Sequence, residues 1–201
     1  MLASSTAFWY TSRATGVVAI ALLTAVIVLG IAVSRQGRLP GLPRFAGLHL
    51  HRYLSLLAVG FVAVHVLTAV ADSYVSIRLA AVIIPFTSAY KPIWLGLGTV
   101  ALDLIAALIV TSLLRHRIGR RTWRSVHWLA YLSWPVALAH GLGASRDMRS
   151  GPLLALTAVC TAAVLTAVGW RLTAAALAVP RARRVPTLMS APQDLVRAGH
   201  R

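Results

Sequence analysis

The chain reads as blocks of apolar residues separated by short polar, arginine-bearing stretches. Five apolar blocks are long enough to cross a hydrocarbon core, which takes about 20 helical residues. They cover about 14–34, 49–71, 93–114, 125–143 and 152–179. The fourth contains Pro135. Residues 73–91 are mixed: an apolar run, Leu79–Ile84, then Pro85 and Tyr90-Lys91-Pro92. That run is too short to span, so it reads as a re-entrant or interfacial segment. Residues 1–13 carry Phe8, Trp9 and Tyr10 beside the first block, as at a membrane interface. A cleaved signal peptide would need a basic segment before the apolar one, and only Arg13 is present, so the first helix is expected to be retained. Residues 180–201 are basic, proline-containing and poor in apolar groups, and read as a disordered tail.

The expected fold is therefore an all-α integral membrane protein with five transmembrane helices. Three regions are expected: an extracytoplasmic N-terminal segment (1–13), a transmembrane helical domain (14–179) and the cytoplasmic tail (180–201). Composition agrees, with 58% hydrophobic residues and four carboxylates in 201 residues. The net charge of +16 raises nucleic acid as a partner. However, the arginines cluster between apolar blocks, where topology signals sit, so lipid is expected rather than nucleic acid. Arg35, Arg38 and Arg44 fall on one side, with the five arginines of 115–124 and those at 181, 183 and 184. The positive-inside bias then puts the N-terminus outside and the C-terminus in the cytoplasm. A multi-pass protein of a cell membrane follows, and the scarcity of lysine points by analogy to a GC-rich bacterial source. Cys160, the single cysteine, excludes an internal disulfide and any Cys-based cluster, and reads as packing.

Four histidines change the picture. His51 and His65 share the second block, 14 residues apart, and His127 and His140 share the fourth, 13 apart. Each pair spans roughly 20 Å of helix at about 1.5 Å per residue. Both helices run from inside to outside, so one histidine couple falls near each membrane face. Ionisable groups inside membrane helices are functional candidates, and neutral imidazole is a good iron ligand. Couples at two depths suggest two b-type haems stacked across the membrane, each held by axial ligands in an apolar slot. On an ideal helix His65 falls within about 40° of His51, whereas His140 lies about 140° from His127. A kink at Pro135 is the expected means of changing that winding.

The stretches Leu50-His51-Arg52-Tyr53, Pro85-Phe86-Thr87-Ser88 and Trp123 to Tyr131, with the four histidines in order and spacing, resemble the ferric reductase-like transmembrane domain. This is the haem-binding core of ferric reductases and NADPH oxidases. The resemblance covers roughly residues 10–175. It implies two stacked haems, His51 pairing with His127 at the inner one and His65 with His140 at the outer one. It also implies electron transfer from a cytoplasmic-side donor to an extracytoplasmic acceptor: ferric iron, oxygen or a protein. Those relatives usually continue into a flavin and NADPH domain. Here about twenty residues follow the last block, with no GxGxxG, so a separate flavoprotein or a quinol is the expected donor. The chain is thus expected to be an oxidoreductase component. Alternatives are the haem subunit of a larger reductase, resembling the membrane subunit of the methionine-sulfoxide repair system, and a non-redox transporter or scaffold.

Further residues follow from this frame. Arg52 and Arg124 flank the inner histidines, where haem propionates need cations, with topology charge the plain alternative. Arg13, Arg78, Lys91 and Arg146 are the outer-face equivalents, and Trp9 shares a helix face with Arg13. Asp72 follows His65 by seven residues on nearly the same face, as part of the outer site or as an interfacial cap. Asp103 lies at bilayer depth and is expected to pair with Thr99, Ser112 or a helix neighbour, a proton relay being the alternative. Trp128, Trp134 and Phe61 lie between the histidine levels, where packing is the default role. His49 points to another face than His51; His116 is expected to be solvated and His200, in the tail, to be inert.

Overall fold

The computed structural model describes residues 2–34, 44–72 and 77–178. The predicted tail, and Arg35 and Arg38 of the first loop, lie outside these residues. The described residues form helices and no strands: α1 (Leu2–Ser34), α2 (Arg44–Ala71), α3 (Ala80–Ile83), α4 (Pro92–Leu113), α5 (Arg115–Ile118), α6 (Arg120–His127), α7 (Ala130–Ala144) and α8 (Gly151–Ala178). In lipid every backbone polar group must be satisfied within its own segment, so long apolar runs become helices. By length and apolarity four of them can cross a membrane: Thr6–Ser34, Phe45–Ala71, Pro92–Leu113 and Gly151–Ala176.

The remaining predicted span, 125–143, is not one helix. Polar α6 ends at His127, and the 15-residue α7 begins at Ala130. Alone, α7 is about 22 Å long, short of a core of roughly 30 Å. The chain tightens between the two. Trp128, Leu129, Tyr131 and Leu132 each donate their N–H to the carbonyl three residues back, at 2.9–3.3 Å. Such bonds wind the backbone at about 120° per residue instead of about 100°. Four of them advance the helix by about 80°, cutting the offset between His127 and His140 from about 140° to about 60°. The winding therefore changes at 128–132, ahead of Pro135.

Helices α1 and α2 pack side by side, as do α4 and α7, and α1 also touches α7 and α8. The main apolar core fills the seam of α1, α7 and α8: Ile20, Ile27, Ile31, Trp134, Cys160 and Val164, closed by Met148. Cys160 is a packing residue there, as expected. Trp134 Nε1 donates to Thr24 Oγ1 at 2.8 Å, and that hydroxyl donates to the Ile20 carbonyl at 2.8 Å. Elsewhere large apolar side chains point outward, among them Tyr53, Leu56 and Leu67 of α2. In water this would be an aggregation surface; in a bilayer it is the lipid face.

The segment before α4 does not span, in agreement with its length. Its one helical turn, α3, is pinned to α4 where Thr99 Oγ1 donates to the Ala81 carbonyl at 2.7 Å. Phe86, at φ 66°, lays its ring on Gly96, where a Cβ would overlap it. Leu79 and Ile83 are 72% and 73% exposed, which suits an interfacial segment better than a soluble loop.

Candidate functional site

The four histidines come from α2, α6 and α7, and three of them lie against a glycine of a neighbouring helix. His65 lies against Gly16 of α1, where a Cβ would sit 3.0 Å from the imidazole. Its Nδ1 is 2.7 Å from the carbonyl of Ser12, four residues before that glycine. His140 lies against Gly98 of α4, where a Cβ would sit 2.7 Å away. Its Nδ1 is 2.8 Å from the carbonyl of Trp94, again four residues before the glycine. Each glycine lets a ring approach the helix, and the second lone pair of a helical carbonyl takes the ring N–H. A carbonyl can only accept, so Nδ1 holds the proton and Nε2 keeps its lone pair, the tautomer a metal-binding imidazole needs.

His51 is seated on Gly30, where a Cβ would be 3.1 Å from its Cε1. Gly16 and Gly30 are 14 residues apart on α1, like His65 and His51 on antiparallel α2. The fourth histidine, His127, stacks on Trp123 at 4.8 Å and 26°, and Trp123 Nε1 donates to Ser112 Oγ of α4 at 3.4 Å. His51 and His127 lie within electrostatic range of each other. Their Nδ1 atoms are buried without a hydrogen-bond partner. The Val26 carbonyl, four residues before Gly30, is the acceptor that stands beside His51.

The rings of His65 and His140 stand 6.2 Å apart at 74°. Two metal–imidazole bonds of about 2 Å, with about 1 Å from each ring centre to its nitrogen, separate axial imidazoles by about 6 Å. A cavity of about 1140 Å³ surrounds this pair, with Arg13, Asp72, Lys91 and Arg146 also on its wall. Among the described residues no three His, Cys, Asp or Glu side chains gather to hold a bare ion. A macrocyclic iron needs only two axial imidazoles from the protein, and the donor set, ring spacing and apolar slot fit a haem.

The cations predicted from sequence divide. Arg13 stacks over Trp9 at 4.2 Å, as their spacing implied, and forms an ion pair with Asp147 at 2.9 Å. It therefore braces α1 against the α7–α8 connection at the edge of the cavity. Lys91 Nζ donates to the carbonyls of Ala144 at 2.9 Å and Gly143 at 3.4 Å, satisfying the end of α7. Arg78, Arg52 and Arg124 are exposed, and Arg78 is off the cavity wall. Arg171 of α8 is the cation that sequence reading missed. It donates to Tyr131 Oη at 2.9 Å and Ser34 Oγ at 3.1 Å and lies 4.6 Å over the Trp128 ring, beside His127. Its signal was present: a charge inside the last apolar block.

Asp72 is buried on the cavity wall. Asp103 departs from expectation: it is exposed, while Thr99 donates to the carbonyls of Ala81 and Leu95, and Ser112 accepts from Trp123. Trp134 belongs to the core seam, Trp128 lies under Arg171, and Phe61 is half-buried on α2. His49 is exposed beside Tyr53, and His116 is exposed and bonded to Arg115; His200 lies outside the described residues.

A multi-pass helical membrane protein with histidines paired across a slot is the class that fold and site define. The chain belongs to the family described as ferric reductase like transmembrane component, which matches residues 15–138. That match takes in His51, His65 and His127 and ends two residues before His140. No curated protein and no solved structure matches the chain.

Proposed function

We propose that this chain carries electrons across a cell membrane, holding two b-type haems with His51 and His127 as one axial pair and His65 and His140 as the other. The observation that carries the reading is the 6.2 Å between the His65 and His140 rings, with both Nδ1 atoms on backbone carbonyls. Haem b supplies a one-electron Fe(III)/Fe(II) couple. The chain's own part would be to fix the four imidazoles, keep the Nε2 lone pairs of His65 and His140 free, and keep water out with apolar helix faces. Arg146 and Arg13 at the His65 end, and Arg171 with Arg52 and Arg124 at the other, are the cations available to carboxylate groups there.

The arginine distribution supports placing the His51–His127 end at the cytoplasmic face. A separate flavoprotein or a quinol is the donor in this reading, and ferric iron, oxygen or a protein is the extracytoplasmic acceptor. The test is a reduced-minus-oxidised visible spectrum with a pyridine haemochrome count on purified wild type and on His51→Ala, His65→Ala, His127→Ala and His140→Ala. Two haems per chain, one lost in each variant, is the expected result. Colourless protein made with ample haem would return the chain to the transporter or scaffold class.

A further inference from the structure

Asp103 lies in the middle of α4, eleven residues from Pro92 and ten from Leu113. It is exposed, it is absent from the cavity wall, and the described residues offer it no hydrogen bond or ion pair. It stands one turn beyond Thr99 and two beyond Gly96, on the face of α4 that the 80–86 segment covers through Ala81 and Phe86. That cover stops short of Asp103. From there toward the His51 end the same side of α4 stays uncovered through Ala106, Val110 and Leu113. Helix α2 does not close the gap, since it makes no substantial contact with α4.

Acyl chains can cover Ala106, Val110 and Leu113 but cannot solvate a carboxylate at this depth. Something with a cation suits the position better than lipid. The described spans have no Lys or Arg to offer from a second copy at that level. Arg13 and Lys91 lie toward one end of the bundle, Arg52 and Arg171 toward the other, and the middles of the described spans carry no Lys or Arg. We propose that this face of α4 docks a transmembrane helix of a different protein, one carrying a basic side chain near its midpoint that pairs with Asp103. The small Ala106 lets that helix approach closely. This assignment is independent of the haem reading.

The test uses the full chain, donor-labelled at its N-terminus, in phosphatidylcholine vesicles. The probes are acceptor-labelled poly-leucine transmembrane peptides with a central lysine or a central leucine. Energy transfer to the lysine peptide is expected to saturate at about tenfold lower peptide density than to the leucine peptide. Asp103→Leu should abolish that preference. Ala106→Trp, which keeps the carboxylate and blocks the face, should weaken lysine-peptide binding to the leucine-peptide level. Equal binding of both peptides to wild type, or a preference that survives Asp103→Leu, overturns the proposal. Self-association between differently labelled copies that Asp103→Leu removes would make the occupant a second copy and overturns it too.

Discussion

His65 of α2 and His140 of α7, 75 positions apart in the chain, face each other with ring centres 6.2 Å apart. The two rings are held by the same device on different helices, a glycine for clearance and a carbonyl four residues earlier for the ring N–H. The consequences of that device can be measured.

Filling the clearance should evict one ring at a time. With the two proposed haems bound, Gly98→Val and Gly16→Val are each expected to reduce haem content from two per chain to about one, by displacing His140 or His65. Gly30→Val should remove the other haem by displacing His51. Haemochrome counts on the three variants, combined with His65→Ala and His51→Ala, check this. Additive loss between Gly98→Val and His65→Ala would refute a shared site.

The two pairs should differ in redox potential. A ring N–H donating to a carbonyl makes the imidazole a more basic ligand, which favours the ferric state. The His65–His140 pair has both such bonds, and the His51–His127 pair has neither. A potentiometric titration should show two waves, and the wave missing in His65→Ala should be the lower one. A single wave in wild type would contradict the asymmetry.

Arg171 should act on the other pair. Its guanidinium lies over Trp128, the neighbour of His127. A nearby positive charge stabilises the reduced state, so Arg171→Gln is expected to lower the potential of the His51–His127 haem and leave the other wave in place. Arg171→Lys should restore part of the shift, because the charge returns without the planar stacking. The same titration reads both variants.

Trp134 should matter for stability and not for haem count. Trp134→Phe removes a buried donor to Thr24 but leaves the ring packing and the Thr24 bond to Ile20, so a loss of about 0.6 kcal/mol is expected. Trp134→Ala also opens a cavity in the α1–α7–α8 seam and should cost about 3–5 kcal/mol. Unfolding in mixed micelles, followed by tryptophan fluorescence, measures both.

Much of the fold was legible in the chain. Helices α1, α2, α4 and α8 follow from apolar length alone, since lipid leaves the backbone no partner but itself. The seven-residue spacing of Asp72 after His65 placed it near the site, and it does line the cavity. The break at Trp128-Leu129 was not legible. Whether an N–H bonds three or four residues back depends on what holds the flanking side chains, and Tyr131 and Trp128 are held by Arg171, about forty residues away. In the sequence, polar Thr99 and Ser112 make pairing the expectation for Asp103, with a proton relay the alternative. Their hydroxyls are committed elsewhere, to Ala81 and Trp123, and sequence distance carries no such information.

By itself the sequence determined that this is a membrane protein with four histidines at two depths, because hydropathy and helical rise are local, additive properties. How each ring is seated, and which ring nitrogen is bound, came only with the tertiary structure. Both depend on Gly16, Gly30 and Gly98, whose role is defined by the side chain that another helix brings to them. A glycine in an apolar run reads as a weakness of the helix until the neighbouring imidazole is in place.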